Sequence, residues 1–289
     1  MSTEVIQIIQ DSGFLHNVIT KMVAEYVGEL HCIKETNVNV DYGSLRNFYA
    51  FEHTIYLIYF SGIEKWDSNG KLVQTYNRDN RISEPICMAI SGPHIYICEP
   101  EYGTVSILDH EGKLLSHFKE FGYTNGCYTY RNRLYVFKSE TSDEIKVFDT
   151  AKNTRLFSFD TNDSPPQGMA FIGDTMYTLH FPNDNDDPDF GWDEFEEPYI
   201  RIRMFDMNGK LIGQESDSIK KHVGNHCNCY MATFKDQLII TYSYSKKLFI
   251  FSPKLEFIKS VDIGVHIFDI CSNEEHLYVL TDDNKVLTY

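Results

Sequence analysis

Apolar and polar residues alternate in short runs along most of this chain. The stretch "TVSILDHEGKLLSHF" (104–118) alternates, breaks at Asp-His-Glu-Gly-Lys and alternates again, and near-copies recur as "IEKWDSNGKLVQTY" (63–76), "IKVFDTAKNTRLFSF" (145–159) and "IRMFDMNGKLIG" (202–213). Period-2 alternation predicts strands, and the Gly-Lys between them predicts a tight hairpin, because Gly accepts the positive φ that such turns need. A second, more continuously apolar strand precedes each copy: "IYLIYF" from Ile55, "IYICEP" from Ile95, "LYVFKS" from Leu134, "MYTLHF" from Met176, "LIITYS" from Leu238 and "LYVLTD" from Leu277. These starts lie 40, 39, 42, 62 and 39 residues apart. The following strands begin at Ile63, Val105, Ile145, Ile202, Leu248 and Val286, so the gap is 26 residues in the fourth copy against 8 to 11 elsewhere.

Short strands repeating about every 40 residues predict propeller blades of four antiparallel strands. Six starts predict an all-β, six-bladed propeller. In blade two, residues 84–92 are the expected inner strand A, 94–99 strand B, 104–109 strand C and 113–118 strand D. The last copy reaches Tyr289 without a fourth strand, and the unassigned β-like segment 30–38, "LHCIKETNV", is expected to supply the outer edge of blade six and close the ring. The expected organisation is a helical extension over 1–29 and a propeller over 30–289, with an insertion at 183–198 in blade four.

The repeat units "EPICMAISGPHIYICEPEYGTVSILDHEGKLLSHFKEFG" (84–122) and "PQGMAFIGDTMYTLH" (166–180) resemble NHL-type propeller repeats. That family places Pro-x-Gly-apolar-Ala on strand A, apolar-Tyr-Val on strand B and an apolar-Asp-x-x-Gly-Lys turn after strand C. The resemblance spans 44–289 and fades in blade five, where "LIITYS" lacks the Tyr and "FSPKLE" lacks the Asp-Gly turn. It implies a fold; the functions of related six-bladed propellers include binding modules, lactonases and lyases.

Ahead of the repeats, Phe14, Leu15, Val18, Ile19, Met22, Val23, Tyr26, Val27 and Leu30 form the stripe of an amphipathic helix that Gly28 is placed to end. Such a stripe packs on the propeller flank or docks a partner protein. The segment "FLHNVITKMVAEYVGEL" is similar to the opening helix of F-box motifs and to the F-box-like leaders of repeat proteins of large DNA viruses of amoebae, which implies an adaptor as the docked partner.

Composition narrows the partners. The chain has 289 residues, 42 acidic against 26 basic side chains and a formal charge of −16, which repels a phosphate backbone. Nucleic acid is not an expected partner, and no apolar run approaches the roughly 18 residues that span a bilayer. Seven cysteines at 32, 87, 98, 127, 227, 229 and 271 form no paired framework, and the start "MSTEVIQIIQDSG" lacks a signal peptide's basic and apolar regions. The expectation is reduced thiols in the cytoplasm.

The abnormal gap of blade four carries the strongest candidate site, "NDNDDPDFGWDEFEEP" (183–198). Asp184, Asp186, Asp187, Asp189, Asp193, Glu194, Glu196 and Glu197 crowd there with Phe190, Trp192 and Phe195 and no basic residue. Carboxylates steer and aromatics anchor, so this composition suits a protein partner with a basic surface; a solvated charged loop is the plain alternative. The spacing does not follow an EF-hand loop, because Pro188 takes a ligand position. In "HVGNHCNCY" (222–230), His222, His226, Cys227 and Cys229 are zinc-type ligands, though core packing of the cysteines accounts for them as well. Glu84, Asn125, Asp174 and Asp269 lie near strand A segments but at unmatched depths for a channel metal, and no Ser nucleophile elbow or phosphate-cradling Gly loop is present. No residue is assigned a catalytic role and no cofactor is expected. The expected function is a non-enzymatic protein-interaction module or scaffold; the alternative is a lactonase-like hydrolase with a divalent cation in its channel.

Overall fold

The computed structural model describes residues 30, 32–41, 44–77, 82–99, 103–119, 124–138, 143–162, 164–181, 200–215, 217–223, 228–273 and 275–289. Among these are six four-stranded antiparallel sheets. Blade one is β2 (Leu45–Phe51), β3 (Thr54–Tyr59), β4 (Gly62–Asp67) and β5 (Leu72–Tyr76), and blade two is β6 (Cys87–Ser91), β7 (His94–Glu99), β8 (Thr104–Leu108) and β9 (Leu114–Phe118). Blade three is β10 (Thr124–Tyr130), β11 (Arg133–Lys138), β12 (Glu144–Asp149) and β13 (Thr154–Asp160), and blade four is β14 (Gly168–Ile172), β15 (Thr175–His180), β16 (Arg201–Asp206) and β17 (Leu211–Glu215). A seven-residue helix α1 (Asp217–Val223) leads to blade five, β18 (Cys229–Phe234), β19 (Gln237–Tyr242), β20 (Lys247–Phe251) and β21 (Phe257–Asp262). Blade six contains β22 (Ile267–Ser272), β23 (Leu277–Thr281) and β24 (Lys285–Thr288), and the early strand β1 (Lys34–Asn37) is its fourth member in the order β1-β24-β23-β22. The strand is shorter than the 30–38 segment, although Ile33 N–H and Val38 N–H continue its bonds to Thr288 O (2.8 Å) and Asn284 O (2.9 Å).

Middle strands read as continuous apolar runs because each faces two neighbours. On β7, Ile95 and Ile97 enter a core shared with blade one, whereas Tyr96 and Cys98 enter one shared with blade three. The described residues form six such clusters, one between each pair of neighbouring blades, including blades six and one, where Tyr278, Leu280 and Val286 meet Phe48, Ala50 and Leu57.

The recurring strand B tyrosine has a physical role at these interfaces. Its ring is buried, and in blades two, four and six its hydroxyl reaches the next blade: Tyr96 to Thr150 O (3.1 Å), Tyr177 to Pro253 O (2.7 Å) and Tyr278 to Glu52 O (2.6 Å). The recurring Asp caps its own turn. Asp67 Oδ1 accepts from the amides of Asn69 (2.9 Å) and Lys71 (3.0 Å), and these bonds hold its carboxyl below the ordinary value, as the equivalent bonds do for Asp206.

The turn Gly that follows meets a second demand. At Gly112, φ is +80° and a Cβ would lie 2.5 Å from the Tyr76 ring of the preceding blade. At Gly70, φ is +75° and a Cβ would lie 2.1 Å from Asn37 O on β1, so β1 occupies against blade one the place that a D strand occupies elsewhere. Blade five keeps this turn without its usual residues: Ser252 Oγ accepts from the amides of Lys254 and Glu256 (both 3.2 Å), and Leu255 takes the positive φ at +62°.

Candidate functional site

Packing six inner strands side by side leaves a central channel. Its cavity of about 1180 Å³ is lined from β2, β6, β10, β14, β18 and β22. The lining mixes polar side chains with apolar and sulfurous ones, among them Met88, Met169, Met231, Phe171, Cys87, Cys127, Cys229 and Cys271. Its polar members include Tyr49, Tyr128, Tyr230 and Asp269, together with charged residues such as Arg46, Glu52, Arg131, Lys235 and Asp236.

Asp269 decides the chemistry of this lining. It is 6% exposed, and burial raises its carboxyl from an ordinary 3.8 to about 8, against the lowering pull of the Ile270 and Phe48 amides. Near neutrality it is therefore largely protonated and donates as well as accepts. Burial also raises the phenols of Tyr49 and Tyr128, and Tyr230 is pushed up to about 12 by burial and then by the Asp269 charge. The Tyr230 hydroxyl shares a hydrogen bond with Ser243 Oγ (3.1 Å). The channel thus offers hydrogen bonds among aromatic and thioether surface, with charged side chains such as Arg46, Arg131, Lys235 and Asp236 also on its lining, which suits binding of an amphipathic group.

At one end, two-residue turns between strands A and B rim the channel. Arg131 and Asn132 (φ 47° and 60°) and Lys235 and Asp236 (φ 50° and 56°) have the positive pairs of type I′ hairpins. At the other end lie Arg46, Gln167, Asn228 and Phe181. Phe181 is the last described residue before the blade-four insertion, and the chain resumes at the fully buried Ile200. Both roots of the insertion therefore belong to the walls of blade four, one of them on the channel itself.

The residues singled out from sequence distribute as follows. Asp184, Asp186, Asp187, Asp189, Phe190, Trp192, Asp193, Glu194, Phe195, Glu196 and Glu197 lie outside the described residues, as do Phe14, Leu15, Val18, Ile19, Met22, Val23 and Tyr26, and His226 and Cys227. His222 stacks on the Phe257 ring with centroids 3.7 Å apart, and Cys229 is buried in the core between blades four and five. Of the channel candidates, Asp269 faces the cavity, whereas Asp174 is exposed and paired with Arg131.

Sequence reasoning passed over one further group. Cys87 on β6, Cys98 on β7 and Cys127 on β10 bring their sulfur atoms within 4.8 Å of one another, all three buried. Cys87 Sγ lies 3.5 Å from Cys127 Sγ. Burial raises the Cys98 and Cys127 thiols; at Cys87, which donates to Cys127 Sγ, the raising effect of burial is outweighed by hydrogen bonding with Cys127 and Cys98, and its thiol is held below the ordinary value. The sequence carried two signals. Cys87 and Cys98 are paired across the β6–β7 hairpin, and Cys127 follows Cys87 by 40 residues, one blade period.

No protein family matches this sequence, and neither does any curated protein. Among solved structures, the WD40 repeats of RRP9 align over 90% of this chain and 99% of theirs, with a TM-score of 0.62 at 11% identity. The structure of U3-55K aligns over 88% and 97%, with a TM-score of 0.60 at 11% identity. A chain of Kuenenia stuttgartiensis hydrazine synthase aligns over 87% and 96%, with a TM-score of 0.57 at 13% identity. Likeness at such identities establishes the propeller fold and carries no activity with it. No helix among the described residues is long and apolar enough to cross a membrane.

Proposed function

We propose that this chain is a non-enzymatic interaction module that binds a protein partner with a basic surface at the channel mouth of blade four. The observation that carries the reading is the rooting of the insertion. Residues 183–198 hold eight carboxylates and three aromatics without a cation, and Phe181, just after the strand that leads into them, lies on the channel wall. A partner engaging the loop would meet the channel mouth beside it, where Tyr and Met surface supplies anchor area and carboxylates supply steering. The likeness to the WD40 repeats of RRP9 fits a platform role.

The finer readings belong to the same proposal. The repeats are of NHL type, the 14–30 stripe docks an adaptor, and β1 closes the ring by occupying the otherwise open edge of blade six. The protein acts in the reducing cytoplasm, a reading supported by the free cysteines 32, 87, 98, 127, 229 and 271. The lactonase-like alternative finds less support. The three-ligand group found among the described residues is made of thiols, which hard divalent ions disfavour, and Asp269 is held largely neutral.

The experiment is a comparison of partners recovered by the intact chain and by a chain with a short Gly-Ser bridge in place of 183–198. Loss of a salt-sensitive partner from a folded propeller supports the reading, and Trp192→Ala should weaken that partner more than any single carboxylate change.

A further inference from the structure

The geometry points to a metal site that the interaction reading does not use: Cys87, Cys98 and Cys127 form a three-sulfur pocket for a thiophilic d¹⁰ cation, Cu(I), between blades two and three. The three sulfurs come from three different strands and lie within 4.8 Å of one another, the shortest separation being 3.5 Å. A metal–thiolate bond of about 2.3 Å in a trigonal plane requires sulfurs about 4.0 Å apart, so small side-chain adjustments complete the triangle. Packing alone accounts for a buried cysteine. It does not account for three converging across a blade interface.

The surroundings select the ion. Among the described residues no His, Asp or Glu joins the group, and the neighbours are Ala89, Tyr96, Val105, Ile107 and Leu134. Zinc in structural sites takes four ligands, whereas Cu(I) favours soft sulfur, and three sulfurs without a nitrogen or oxygen ligand suit it better. The buried Thr124 hydroxyl lies against Cys98 and would serve as an outer-sphere donor to a metal-bound thiolate there. An entry path exists, because Cys87 and Cys127 line the central channel while Cys98 is fully buried behind them. Bound there, the ion would tie two neighbouring blades together at their inner strands.

The test uses the full chain under argon, with Cu(I) supplied as its acetonitrile complex and titrated against a chromophoric chelator. Cys32, Cys227, Cys229 and Cys271 offer competing sulfurs, so the decisive sample carries all four as Ser. That chain is expected to retain one Cu(I), and copper-edge X-ray absorption should find three sulfur scatterers at about 2.3 Å and no nitrogen or oxygen. On this background Cys87→Ser, Cys98→Ser and Cys127→Ser should each weaken Cu(I) binding by more than about 100-fold, beyond the effect of losing an outer-sphere partner. Melting curves by circular dichroism confirm that each variant is folded. Should one fail to fold, the absorption spectrum of the four-Ser chain decides, since it keeps all three sulfurs. A folded four-Ser chain that retains no copper overturns the proposal. Two-sulfur coordination, copper binding unchanged by Cys98→Ser, or Zn(II) held more tightly than Cu(I) in a parallel titration would do the same.

Discussion

Replacing Asp269 with Asn should stabilise this protein at neutral and alkaline pH but cost it about 1–3 kcal/mol at pH 4, where the carboxyl is still protonated in the folded state. In the unfolded chain the carboxyl ionises at its ordinary 3.8, but in the channel burial raises it to about 8. The folded state therefore binds the extra proton between those values. Its stability is fully present below pH 3.8 and is lost as pH rises toward 8. At about 1.4 kcal/mol per pH unit, the interval corresponds to roughly 6 kcal/mol by pH 8. Asn removes this term and keeps an oxygen to accept from the Ile270 amide, which bonds Asp269 Oδ1 at 2.7 Å. Its new NH₂ needs a partner beside the channel tyrosines, which takes back about 1–3 kcal/mol and leaves a gain of about 3–5 kcal/mol. At about 2–4 °C per kcal/mol for a domain of this size, the melting temperature should rise by roughly 6–20 °C at pH 8. The assay is a thermal melt of both proteins from pH 4 to pH 8. Parallel curves with a constant offset would refute a buried, proton-holding Asp269.

Three further substitutions probe the frame. Gly70→Ala should destabilise far more than Gly92→Ala: both positions have positive φ, at a cost of about 1–2 kcal/mol, but a Cβ at Gly70 also meets Asn37 O while one at Gly92 meets nothing, so equal melting temperatures would remove β1 from blade one. Tyr96→Phe deletes a hydroxyl bonded to Thr150 O and to Asn153 Oδ1 across a blade interface, and chemical denaturation should show a loss of about 1–2 kcal/mol with an unchanged denaturant slope. Leu255→Gly relieves a positive φ but empties a side chain that is 1% exposed, so burial wins and a net loss of about 1–3 kcal/mol is expected in the same assay.

The blades were legible because their spacing is carried by side chains that do several jobs at once. A strand B tyrosine such as Tyr96 fills an interface and latches the next blade, and an Asp such as Asp67 caps its own turn, so both recur in the sequence at fixed places. Blade five read as degenerate because those jobs passed to residues of another type. Ser252 accepts the turn amides in place of Asp, and Leu255 bears the left-handed φ because burial outweighs the backbone cost. The channel was less legible. Tyr49, Tyr128, Tyr230 and Asp269 come from four different blades, and only the assembled ring brings them to one cavity. The cysteine group lay between these cases, since hairpin register pairs Cys87 with Cys98 and one blade period carries Cys87 to Cys127, yet the third contact depends on how two blades face each other.

The central claim, a protein partner held at the blade-four mouth, is tested most directly by quantitative affinity capture with the intact chain and with residues 183–198 replaced by a short Gly-Ser bridge. Loop-closure entropy changes slowly with length, so both proteins should melt at about the same temperature. The account predicts that the intact chain enriches a partner at low salt, that raising the salt weakens it, and that the bridged chain loses it. Recovery of the same partners in the same amounts by a folded, bridged chain would contradict the account.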